Sequence, residues 1–247
     1  MPCLEVKDIS ISFGGLKAVQ DVSFALEPGE IMGLIGPNGA GKTTVLNLIS
    51  GLYTCDAGSV FLNGTDVTKK KSFERARMGL GRTFQTPRFL SRSTVAENMK
   101  LGTDLADQMG FMKSLIGFKG NNFLDEVDKY LHIADLSVNW NDDISSLSYG
   151  QLKRLEIIRA LLSHPKVLLV DEPAAGLNSK ELEKSVDLIR YAAKGGVGIV
   201  LIEHKMDMIM NVCDHIVVLN FGKMIAHGTP AEIQSDEAVI EAYLGRK

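Results

Sequence analysis

A chain of 247 residues is long enough for one large domain, or for a core with an inserted subdomain. With 45% apolar and 23% charged residues, a sizeable packed core is expected and general disorder is excluded. The net charge of −3 supplies no basic balance for nucleic acid, so no nucleic-acid partner is expected.

The opening MPCLEVKDIS has no basic region followed by an apolar run and does not read as a signal peptide. Cys3, Cys55 and Cys213 are too far apart for a zinc motif or a disulfide framework, so reduced thiols are expected. Leu4–Phe13 and Val22–Leu26 alternate apolar and polar residues as half-buried strands do. Pro28-Gly29 is a turn, and Ile31–Ile35 is a short apolar strand running into a glycine-rich loop. Thr43–Ile49 reads as a helix stopped by Ser50-Gly51. Ser59–Leu62 ends in Asn63-Gly64, a hairpin signal because both residues tolerate positive φ.

From about Ser72 to Asn141 the pattern becomes helical, with a flexible-looking stretch, Gly102–Asn122. Within it Phe111, Met112, Leu115, Ile116 and Phe118 recur at helical spacing and are expected to form a small helical core. Gln151–Ser163 is an amphipathic helix broken by His164-Pro165. Val167–Val170 and Val197–Ile202 are uninterrupted apolar runs, as in the centre of a parallel sheet. They fall far short of the ~20 residues that span a bilayer, so a membrane role is expected to come through a partner. Lys180–Ala193 is a helix with Asn178 and Glu181 placed as a capping box, ended by Gly195-Gly196. His215–Leu219 and Met224–Ala226 are strands about a Phe221-Gly222 turn, and Thr229-Pro230 opens the last helix. The expected class is an α/β nucleotide-binding core with an antiparallel β part in front and a helical insertion in the middle.

Gly36, Pro37, Asn38, Gly39, Ala40, Gly41, Lys42 and Thr43 fit the P-loop pattern, in its strand–loop–helix context. Glycines let backbone N–H groups turn inward onto phosphate oxygens where a Cβ would collide. The helix that starts here, with Thr44 in its first turn, aims its positive end at them. Lys42 can reach the β and γ phosphates, and the Thr43 hydroxyl is a ligand for Mg²⁺. Downstream, Asp171-Glu172-Pro173 follows a buried strand. Asp171 is placed to hold Mg²⁺ and Glu172 to polarise an attacking water.

Leu147-Ser148-Tyr149-Gly150-Gln151 lies between these motifs. In that order the set resembles the signature of ABC-type ATPases, whose usual form has a second Gly where this chain has Tyr149. Ser148 and Gln151 also form an S-x-x-Q capping box, and a capped helix start is itself an anion site. The resemblance implies a RecA-like P-loop core, an antiparallel β subdomain and an inserted helical subdomain. It implies a single cassette over residues 1–247, with 1–84 and 165–247 as core plus β subdomain and 85–164 as the helical part. It further implies that Ser148, Gly150 and Gln151 contact ATP held by an opposing subunit. Gln85 looks like the glutamine that senses Mg²⁺ and water, His204 like the switch histidine, Ala174–Asn178 like the loop that crosses the dimer, and Phe13 like the adenine-stacking aromatic.

At a finer level, Gly81–Gln85, DEPAAGLN from Asp171, IEHKM from Ile202 and the terminal Ala242-Tyr243-Leu244-Gly245 are similar to the ATP-binding subunits of branched-chain amino-acid importers. The lipopolysaccharide exporter ATPase shares some of these features. Soluble ABC ATPases usually carry paired cassettes or a long coiled-coil insertion, which this chain lacks. The implied protein hydrolyses ATP with Mg²⁺ as a homodimer or heterodimer. Permease subunits would dock on its helical part, at the cytoplasmic membrane face.

Overall fold

A computed structural model describes residues 1–102 and 121–244. Two sheets organise them. The first is antiparallel, in the order β2-β1-β4-β5, from β1 (Leu4–Phe13), β2 (Leu16–Leu26), β4 (Ala57–Leu62) and β5 (Thr65–Asp66). Leu4, Val6, Ile9 and Ile11 are all buried although their spacing skips a residue. A register shift between Val6 and Ile9, with Asp8 at φ 46°, is the bulge that restores the phase. Asn63 and Gly64 have φ of 47° and 74°, as the β4–β5 hairpin requires.

The second sheet has the order β10-β9-β3-β8-β7-β6. Its strands are β3 (Ile31–Ile35), β6 (Leu80–Arg82), β7 (Val167–Asp171), β8 (Gly198–Ile202), β9 (His215–Asn220) and β10 (Lys223–Gly228). All pairs are parallel except β9–β10. Successive side chains point to opposite faces, and both faces are covered. Met32, Leu34, Val167, Leu169, Val200, Ile202, Val217 and Leu219 join one core with the antiparallel sheet and α1 (Lys42–Ile49). Ile31, Ile35, Leu168, Val170, Ile199, Leu201, Ile216 and Val218 join the other core with the remaining helices. Those helices include α3 (Val95–Lys100), α4 (Asn121–Ile133), α5 (Tyr149–Leu161), α6 (Ser179–Lys194) and α7 (Met206–Val212), and Ile233 and Val239 near the C-terminus join the same core. The apolar runs read from the sequence are therefore central strands.

Four details differ from the expectation. β2 begins at Leu16, six residues before Val22, because β1 and β2 pair through a tight turn at Gly14 and Gly15, whose φ are 54° and 86°. The stretch read as helical from Ser72 holds only a short α2 (Ser72–Arg77) before the edge strand β6. The C-terminal helix is two helices, α8 (Pro230–Ser235) and α9 (Glu237–Leu244). Asp236 parts them, accepting from the Val239 N–H at 3.0 Å as a cap does. Finally, α5 starts at Tyr149, so Gln151 is its third residue. The expected core around Phe111, Met112, Leu115, Ile116 and Phe118 lies outside the described residues.

Candidate active site

The C-terminal ends of β3, β6, β7 and β8 lie side by side, where open parallel sheets place their sites. Beyond Ile35, Gly36 has φ 148°, and a Cβ there would collide with the Leu219 carbonyl oxygen. Gly41 has φ 102°, and a Cβ there would stand 2.6 Å from the Ala18 carbonyl oxygen. Gly41 is the N-cap of α1 and offers no side-chain cap; the first turn carries no acidic residue. Val45 is the first to find an intrahelical acceptor, Gly41 O at 2.9 Å. The N–H groups of Lys42, Thr43 and Thr44 therefore have no partner within the helix. Lys42 is buried, and its ammonium folds back onto Gly36 O at 2.7 Å and Pro37 O at 3.0 Å. Burial lowers its pKa, against the pull of Glu172 and Asp171.

Gly41, Lys42, Thr43 and Thr44 line a cleft of about 500 Å³ with Asn38, Gly39, Ala40, Glu172 and His204. Glu172 leaves β7 at φ 49°, a conformation that costs a non-glycine residue about 1–2 kcal/mol. Its N–H is held by the Ile202 carbonyl at 2.9 Å. One carboxylate oxygen accepts from Gln85 Nε2 and the other meets His204 Nε2, each at 2.8 Å. Gln85, Glu172 and His204, far apart in sequence, thus form one hydrogen-bonded chain at the edge of the phosphate loop.

Thr43, Gln85 and Asp171 open together on a neighbouring cavity. Asp171 is buried, and this raises its pKa; the Arg82 guanidinium, 3.6 Å away, opposes the shift. Arg82 is itself held by Asn47 Oδ1 of α1 at 2.9 Å and by Oγ of Ser50, the C-cap of that helix, at 2.7 Å.

Other expected site residues lie apart. Ser148, Gly150, Gln151 and Asn178 are not in the lining of the phosphate cleft. Ser148 caps α5, accepting from Gln151 N at 3.3 Å while Gln151 Oε1 accepts from Ser148 N at 2.9 Å. Asn178 caps α6 in the same way with Glu181. Phe13, 44% exposed, is also outside that lining and meets Tyr53 edge-on at 5.3 Å. The large apolar groups at the cleft are instead Leu16 and Phe221, 72% and 83% exposed. Phe221 was read only as a turn residue, and its φ of 46° is the turn's.

Sequence reading also missed the groups that hold the loops. Glu203 is buried and accepts from Ala174 N at 2.7 Å and His204 N at 2.8 Å. Lys153 donates to the carbonyls of Phe84 and Glu172, both at 3.2 Å, and Glu156 accepts from Phe84 N at 3.3 Å. Charged residues on the inward side of α5 were the available signal.

The ABC transporter family model matches residues 19–175, and a branched-chain amino acid ATP-binding cassette transporter model matches 223–247. The high-affinity branched-chain amino acid transport ATP-binding protein of Pseudomonas aeruginosa is 38% identical, covering 99% of this chain and 98% of its own. Its counterpart in Escherichia coli is 39% identical with the same coverage. A nucleotide-free ATP-binding cassette from an ABC transporter has a TM-score of 0.85 at 33% identity over all of both chains. The ADP conformation of such a cassette gives 0.84, also at 33% over all of both. With a phosphate loop, a carboxylate at its edge and this kinship over the whole length, the chain belongs to the ATP-binding cassettes of ABC transporters and is an ATPase subunit.

Proposed function

We propose that this ATPase works as a dimer of cassettes closed around two ATP molecules, driving import of branched-chain amino acids through separate membrane subunits. The second cassette is the same chain or a related one. No described helix is long and apolar enough to cross a membrane. Membrane subunits would hold the chain at the cytoplasmic face, docking on the helical part, about 85–164, near Arg88, Phe89 and Leu90. Residues 1–84 and 165–247 would form the catalytic core and β subdomain. The substrate class is supported by the transport proteins that this chain resembles over nearly its full length.

The observation that carries the mechanism is the Glu172 carboxylate, fixed between Gln85 and His204 at the edge of the P-loop cleft. ATP enters with its phosphates at the open N-terminus of α1. The ammonium of Lys42 exchanges its two carbonyl partners for the β and γ phosphate oxygens. Glu172, presented by its strained backbone, accepts a proton from the water that attacks the γ-phosphorus. His204 donates to the charge that develops on the γ-phosphate. Thr43, Gln85 and Asp171 supply oxygen donors to one cavity, a set that suits a hard cation such as Mg²⁺. That ion would neutralise phosphate charge. Ser148, Gly150 and Gln151 of the opposing chain, with Asn178, would complete the γ-phosphate site. ATP then favours the closed dimer, and cleavage releases it.

Glu172→Gln tests this assignment. The variant should bind ATP, turn over at least about a hundredfold more slowly, and accumulate as an ATP-loaded dimer in size-exclusion chromatography. Normal turnover in that variant would refute the role.

A further inference from the structure

Tyr149 is the first residue of α5, inside the turn that Ser148 and Gln151 close. Its side chain runs toward loops of its own chain. The hydroxyl donates to the Gln85 carbonyl at 3.2 Å. The ring lies on Gly176, where a Cβ would stand 2.9 Å from the ring edge and where φ is 74°. Tyr149 thus touches the Gln85 loop and the loop before α6 at once. Lys153 and Glu156, farther along α5, pin Phe84 and the Glu172 carbonyl. They fix the main chain on either side of the site but leave the Gln85 carbonyl to Tyr149. Burial raises the Tyr149 pKa, with the carboxylates Glu156 and Glu172 adding to it, so the hydroxyl remains a donor at neutral pH.

We infer that Tyr149 is a positioning residue for hydrolysis. By holding the Gln85 peptide it aims the Gln85 amide at Glu172, and so ties the signature turn of a chain to that chain's own water site. The inference rests on Gln85 and Glu172 belonging to the hydrolytic site. Orientation is what is at stake, since a hydrogen bond fails when its angle opens, long before its atoms part. The glycine of the usual signature has no side chain for either contact. Ser148, next to Tyr149, is exposed, and Gln85 donates to Glu172 at the end of β7, so Tyr149 links the turn to Gln85 itself, beside the anchors that Lys153 and Glu156 place on Phe84.

The test is steady-state ATPase kinetics of the full chain as wild type, Tyr149→Phe, Gln85→Ala and the double variant. Phe keeps the ring and its seat on Gly176, and equal Tm values confirm folding. Tyr149→Phe should lower kcat about fivefold, equivalent to about 1 kcal/mol, with KM for ATP changed less than about twofold. In the Gln85→Ala background the same change should cost nothing further, because the group it aims is gone. Wild-type kcat in Tyr149→Phe, a change confined to KM, or fully additive losses would overturn the inference while a slow Gln85→Ala leaves the site intact. Wild-type kcat in Gln85→Ala would instead remove the reading of the site, and the inference with it.

Discussion

The N-termini of α1 and α5 are both proposed to face phosphate, and they are built in opposite ways. α1 begins at a glycine with φ 102°, has no side-chain cap and leaves its first N–H groups open. α5 begins in a closed box, in which Ser148 and Gln151 satisfy each other's backbone donors. The first has its donors open as it stands, on consecutive residues after one sheet strand, and is the proposed anion cradle. The second is a complete helix start that needs nothing more for its own stability. The difference locates the two halves of the proposed reaction. On that proposal one half is a property of a loop, and the other would exist only when a second cassette brought its ATP to the turn.

Breaking the α1 side should have the largest effect. Lys42→Ala removes the ammonium that now rests on Gly36 and Pro37 and is proposed to move to the phosphates. ATPase activity should fall by about a hundredfold or more, and ATP affinity measured by calorimetry should weaken with it. The nucleotide-free chain should keep its Tm nearly unchanged. Freeing two carbonyls is costly, but so is keeping an ammonium buried, and the two offset each other. Unchanged affinity and rate together would show that the loop is not the cradle.

The α5 side is broken more selectively by Ser148→Asp. Aspartate caps a helix as well as serine does, and its charge suits the positive end of α5. Stability and ATP binding to the separate chain should therefore hold. A carboxylate at that turn would nevertheless repel a triphosphate brought by the partner, and hydrolysis should fall about tenfold or more. Full activity in a variant with wild-type Tm would mean that Ser148 is only a cap.

The same contrast explains what could be read from the sequence. The P-loop was legible because its residues are contiguous and each type has one local reason. The buried strands were legible as apolar runs, since covering both sheet faces leaves no polar alternation. β6 was not, because Leu80–Arg82 is a strand only by pairing with Val167–Leu169. The first part of β2 was missed because Leu16, Lys17 and Ala18 are mostly exposed and carry no period. Glu172 was picked out by its place after a buried strand, and Gln85 and His204 by resemblance, but the hydrogen bonds that join the three belong to the sheet order. Tyr149, Lys153 and Glu156 act on residues 19 or more positions away, a distance that no helical or strand period encodes.

The smallest expected effect concerns the buried charges of the two helices. Lys42 on α1 is held by main-chain carbonyls that it can leave, whereas Lys153 and Glu156 on α5 anchor the loop at Phe84. Glu156 is 2% exposed, and burial raises its pKa above 4.5; Lys153 and Arg159 oppose this without cancelling it. The sign follows by linkage. A carboxyl whose folded pKa is raised contributes stability that is fully present below its unfolded pKa and is lost as pH rises through the folded value. Glu156→Gln keeps an acceptor for the Phe84 N–H and removes that loss. In thermal melts, Tm of the variant relative to wild type should climb by a few degrees as pH rises from about 4.5 to 8, at about 2–4 °C per kcal/mol for a chain of this size. ATP affinity at the α1 half-site should stay within about twofold across the series. A Tm difference independent of pH would show that Glu156 carries no such penalty. A large loss of ATP affinity would show that the anchors of α5 and the cradle of α1 are not the separate devices their geometry describes.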